Sequence, residues 1–111
     1  MAEHSITSLL NAAADLLAQP GAWTQGAYAR DMFGSDVGSQ WSDDAVCFCV
    51  MGALNQVREA PHDAVILGSL SHAIRAVNGG YPIAEWNDAP GRTQAEVVAA
   101  LRAAASNQGA A

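Results

Sequence analysis

The stretch Asp43-Asp44-Ala45-Val46-Cys47-Phe48-Cys49-Val50-Met51-Gly52-Ala53-Leu54-Asn55-Gln56-Val57-Arg58-Glu59 decides how the chain is read. Val46, Cys49, Val50, Ala53, Leu54 and Val57 recur at three- and four-residue steps, as on one face of a helix. Cys47, Phe48 and Met51 fill the remaining directions of the first half. A helix that is apolar all round is a buried one. The pattern predicts a central helix over 43–59, covered on more than one side. Ser42 stands where an N-cap belongs, and Asp43 and Asp44 suit the positive end of the helix dipole. Gly52 costs about 1 kcal/mol inside a helix relative to alanine. A glycine at such a place lets another backbone or a ligand come close.

Three more segments carry helical periodicity. Over 5–19, Ile6, Leu9, Leu10, Ala13, Leu16 and Leu17 share a face, and Pro20-Gly21 ends it. Over 62–77, Ile66, Leu67, Leu70, Ile74 and Val77 make the buried stripe. Pro61 suits the first turn there, and Asn78-Gly79-Gly80 is the stop. Over 94–105, Thr93-Gln94-Ala95-Glu96 spells a capping box, and Val97, Val98, Leu101, Ala104 and Ala105 face inward. The tail 106–111 is expected to fray. Tyr81-Pro82-Ile83 reads as extended and 86–91 as a turn. The expected fold is all-α: about four helices in one domain over 1–111, with a long aromatic and glycine-rich loop at 20–42. A loop that long without structure is uncommon. A turn, a short helix or a small strand pair is therefore expected near Tyr28 to Phe33.

Composition narrows the function classes. Half of the 111 residues are hydrophobic, 14% are charged, and the formal net charge is −6. Arg30, Arg58, Arg75, Arg92 and Arg102 are scattered, and there is no lysine. A nucleic-acid binder gains affinity by neutralising phosphates with a basic patch, so no nucleic acid is expected as a partner. The same sparsity argues against an anionic membrane surface. No apolar run reaches the length of a membrane span, and Met1-Ala2-Glu3-His4-Ser5 lacks the basic start of a signal peptide. Cys47 and Cys49 are close neighbours with no third cysteine, which fits a reducing cytoplasm.

The chemistry-bearing residues each have a plain reading and a sharper one. On a helix the Cys47 and Cys49 thiols point about 160° apart and cannot easily share a metal. His4, His62 and His72 show no ligand spacing to them, so neither a metal nor a cofactor is expected. Core packing is the plain reading of the cysteines, and a reactive thiol is the sharper one. The helix dipole would lower the thiol pKa while Asp43 and Asp44 raise it. His72 falls opposite the apolar stripe, which leaves the thiol without a base. Trp86-Asn87-Asp88 is either a plug with backbone-bonding polar residues or a polar site beside an aromatic wall, with Asp88 and Arg92 as its charged members. Asp88 and Arg92 equally suit a salt bridge across the loop. Trp23, Tyr28, Phe33 and Trp41 either roof the core or line a pocket. Asp31, Asp36, Asp43 and Asp44 lack the ligand alternation of a calcium loop and read as solvated or capping carboxylates. The candidate ligand site is thus Trp23, Trp41, Cys47, Trp86, Asn87, Asp88 and Arg92, where the 23–41 loop meets the 86–92 turn; no catalytic residue is nominated.

Taken in order, Trp23-Thr24-Gln25-Gly26, the Cys47–Leu54 stretch, Trp86-Asn87-Asp88, Arg92-Thr93 and Glu96-Val97 resemble an uncharacterised family of small bacterial and phage proteins, a domain of unknown function. The resemblance spans most of the chain, and its most specific part is the Trp-Asn-Asp…Arg-Thr element. It implies an intracellular bacterial or phage-related origin and no activity. The function expected first is a non-enzymatic binding or interaction module with a protein partner or a second copy, as in a homodimer. The alternative is a small-molecule or enzymatic pocket between the 23–41 loop and the 86–92 turn. A third reading is a phage-type acidic inhibitor of a host protein.

Overall fold

Ser5 starts the first helix, because its side chain accepts the Ser8 N–H at 3.1 Å. A computed structural model describes residues 5–38, 42–58 and 64–109. Helix α1 is Ile6–Ala18, and its buried residues Leu9, Leu10, Ala13, Ala14 and Leu17 follow the helical stripe. The longest helix, α5 (Gln94–Gly109), packs along it. Thr93 and Glu96 close the expected capping box: Thr93 N–H donates to Glu96 Oε1 at 2.9 Å and Glu96 N–H to Thr93 Oγ1 at 3.2 Å. Gln94 Nε2 donates to the Leu17 and Gln19 carbonyls at the far end of α1. Arg102 pairs with Asp15 at 2.6 Å along the same seam. Helix α5 continues past the expected end at 105, since no proline or glycine interrupts Ser106, Asn107 and Gln108.

The central segment departs from its expected form. Cys47–Phe48 is a strand, β2, paired antiparallel with β1, Ala29–Arg30. Helix α2 begins only at Val50 and ends at Val57. The reason is hydrogen bonding from the preceding loop. Phe48 N–H donates to Ala22 O at 2.8 Å, and Phe48 O accepts Thr24 N–H at 3.0 Å. Val46 N–H donates to Arg30 O at 2.9 Å. These backbone groups are claimed by the loop, so no helix forms there. Phe48 lies between two extended neighbours, Ala29 and Trp23, and a segment flanked on both sides is apolar in every direction. The burial inferred from the pattern is correct; the helix over 43–49 is not. Ser42 caps a turn instead, with its Oγ accepting Asp44 N–H at 3.2 Å.

Helix α3 is Ala64–Arg75, with Leu70 and Ile74 fully buried; the Pro61 start expected for it lies outside the described residues. Gly79 and Gly80 turn the chain with φ of 85° and 83°, as the Asn-Gly-Gly stop requires. A short helix, α4 (Ile83–Asn87), then occupies a place expected to be extended chain and turn. Pro82 presets its start, and five residues are too few to show a period. The core is shared by α1, α2, α3 and α5, with Ile83 and Trp86 of α4 reaching in. Four longer helices and one small hairpin make the molecule mainly helical, as expected. Among the described residues no helix is long and apolar enough to cross a membrane.

Candidate functional site

Asn87, at the end of α4, is 0% exposed and uses both ends of its amide. Its Oδ1 accepts the Trp23 indole N–H at 2.8 Å and the Val50 N–H at 3.1 Å. Its Nδ2 donates to Thr24 O at 3.1 Å and to Asp88 Oδ1 at 2.9 Å. Burying an amide is costly unless it is paired, and this one is fully paired. The bond to Val50 satisfies an N–H of the first turn of α2, which the helix itself leaves open. Gln25 adds to the clamp, donating from Nε2 to Asn87 O and Ala89 O. Gly26 N–H donates to Asp88 Oδ1 at 2.9 Å. The segment 23–26 is thus bound to the 87–89 segment by side chains alone.

Beside this knot the loop leans on α2. A methyl group at Gly52 would sit 2.1 Å from Tyr28 O, so the glycine admits the loop backbone, as its place in the sequence suggested. Between the loop, the start of α2 and α4 lies a cleft of about 320 Å³. Tyr28, Asp36, Cys49, Met51, Ala84 and Asp88 are among its walls. Cys49 is the N-cap of α2, and its Sγ accepts Gly52 N–H at 3.3 Å. Burial pushes its thiol pKa up, and the Asp88 carboxylate adds to the rise; hydrogen bonds from Gly52 and Met51 oppose it without reversing it. The thiol therefore stays protonated and is a poor nucleophile at neutral pH.

Further along the loop, the turn Asp31–Ser35 is closed by its own hydrogen bonds. Asp31 Oδ1 accepts the N–H groups of Phe33 and Ser35, Asp31 N–H donates to Ser35 O, and Gly34 N–H donates to Asp31 O. Met32 and Phe33 stand at its apex, 76% and 83% exposed.

The model of a family of unknown function, DUF6197, matches residues 1–107. The chain belongs to that family. No curated protein and no solved structure matches it.

In this DUF6197 chain the residues nominated from sequence are distributed unevenly. Trp23 is half-buried with its N–H tied to Asn87. Cys47 is buried in β2, facing the Arg30 carbonyl at 3.9 Å. Trp86 is in the core, and the Arg92 guanidinium lies 4.5 Å above its ring. Arg92 also donates from Nε to Trp86 O and pairs with Glu96 at 3.5 Å, so it makes no bridge to Asp88. Of the nominated residues that are described, Asp88 is the one placed on the cleft wall. Trp41 lies outside the described residues. Phe33 does not roof the core, because its turn points it into solvent. The sequence reading did not place Asp36, Met51 and Ala84 at the cleft; it offered Tyr28 as a pocket residue and left the thiol open between Cys47 and Cys49, of which Cys49 lines the cleft.

Proposed function

We propose that the chain is a non-enzymatic binding module whose contact with another protein is the Met32–Phe33 apex. The observation that carries this reading is an exposed apolar pair on a turn held by hydrogen bonds. A loose loop can fold its apolar side chains back, whereas this turn holds them outward. Burying each side chain on a partner would contribute about 1.5–3 kcal/mol. Val46, which precedes β2, is exposed as well. Two features support a non-enzymatic role. The Cys49 thiol is held neutral, and His72, the one histidine among the described residues, sits on the exposed side of α3.

A photo-cross-linking residue at position 33, with the exposed Ser69 on α3 as a control, tests the proposal. Cross-linking to a protein specific to position 33 is expected, whether to a second copy or to another chain. Equal yields from 33 and 69 would overturn it. A second reading, a pocket for a small molecule, is favoured by the cleft, whose size falls in the ligand-binding range of about 300–1,000 Å³.

A further inference from the structure

The cleft has a chemical character that neither the core nor the Asn87 knot explains. Asp36 comes from the loop and Asp88 from the end of α4, and both stand on its walls. Backbone bonds hold both carboxylates in place: Gly38 N–H donates to Asp36 Oδ1 at 2.7 Å and Gly26 N–H to Asp88 Oδ1 at 2.9 Å. The second oxygen of each has no partner among the described residues. No cationic side chain is among the described cleft walls. Arg30, the arginine of this loop, is turned to Thr24 Oγ1, Gln25 O and Gly34 O. The other walls of the cleft include Met51, Ala84 and Tyr28. Cys49, only 7% exposed, has its thiol pKa raised chiefly by burial, with a smaller upward contribution from the Asp88 carboxylate.

We propose that this cleft binds a small organic cation: a primary alkylammonium whose charge is held by Asp36 and Asp88 and whose hydrocarbon chain lies on Met51 and Ala84. Charge complementarity selects the cation. Apolar walls select an alkyl chain over a bare metal ion, and among the described residues no group of three or more metal-ligating side chains is assembled. The size of the cleft suits a free small molecule. The proposal rests on the pocket reading and is independent of the Met32–Phe33 apex.

Backbone amide NMR of the full chain, titrated with n-butylamine and 1,4-diaminobutane at fixed ionic strength, is the test. Saturable shifts are expected at Gly26, Gly38 and Cys49, with affinity about tenfold above that of 1-butanol or butyrate. Asp36→Asn keeps an acceptor for Gly38 N–H and lies away from the Asn87 knot, so it should fold as the parent chain does. It should weaken the amine about tenfold, as should Asp88→Asn. Absence of saturable shifts at those amides would overturn the proposal. So would unchanged amine affinity in Asp36→Asn, or shifts of equal size beside Asp15, Asp43 and Glu85. A lysine peptide that binds more tightly than the free amines would overturn the small-molecule occupant. None of these outcomes alters the cross-linking result at position 33, so the two readings fail separately.

Discussion

Asn87 and Phe33 show two opposite uses of the same device. Both belong to segments held rigid by side-chain hydrogen bonds to backbone. At Asn87 the bonds come from a polar side chain sealed inside, and they join segments 37 to 64 residues apart. At Phe33 the bonds come from Asp31, two residues away, and they hold an apolar side chain outside. The first arrangement builds the fold, since it ties the loop, the start of α2 and the end of α4 to one buried amide. The second adds little to the fold and leaves apolar surface in water, which has a cost of about 25 cal/mol per Å². A rigid, locally closed turn that presents apolar groups is what a binding surface requires.

That contrast can be broken most directly at Asn87. Asn87→Ala would leave Trp23 Nε1, Val50 N–H and Thr24 O without their partner. A buried unpaired group such as the Val50 N–H costs about 1–3 kcal/mol and the half-buried Trp23 and Thr24 groups less, so urea unfolding should show a loss of about 2–4 kcal/mol. A loss under about 1 kcal/mol would mean the knot is not what joins loop to helix.

Gly52→Ala should come next. Its methyl group would meet Tyr28 O at 2.1 Å, a backbone atom that cannot swing aside. Overpacking of this kind costs about 1–3 kcal/mol, against a helix gain of about 1 kcal/mol. A net loss is expected in the same unfolding assay. A stabilised variant would show that the loop yields easily.

Cys49→Ser probes the edge between the two regions through pH. The Cys49 thiol pKa is raised in the folded chain, so the folded state holds the proton more tightly than the unfolded state. The stability this confers is full below the unfolded thiol pKa, about 8.5, and is lost as pH rises through the higher folded value. The parent Tm should therefore fall above about pH 8.5 more steeply than that of Cys49→Ser, whose hydroxyl does not titrate there and can still cap Gly52 N–H. Parallel Tm curves for the two chains would contradict this.

The smallest effect is expected at the apex. Replacing Met32 and Phe33 together by serine should change stability by no more than about 0.5 kcal/mol, as for exposed positions without special contacts. A loss approaching that of Asn87→Ala would erase the contrast and make the apex part of the core.

Sequence patterns determined the local features. The α1 stripe, the Thr93–Glu96 box and the Asn78-Gly79-Gly80 stop were legible because each depends on residues within a turn or two. Gly52 marked a close approach, but its partner, Tyr28, is distant in sequence. The candidate site was legible only as a region, the meeting of the loop with the Trp86 turn, and Asp88 is the nominated residue placed on the cleft.

Tertiary structure decided the rest. Residues 47–50 and 52–54 of the opening stretch are buried as their composition demanded, yet a short apolar run has no period that separates strand from helix. Hydrogen bonds from residues 22, 24 and 30 made Cys47–Phe48 a strand and delayed the helix to Val50. Likewise nothing beside Asn87 in the chain shows that its amide will meet Trp23, Thr24 and Val50. Hydrophobic periodicity records which residues avoid water; the partners of a buried polar group are set by long-range packing, which a single sequence does not display.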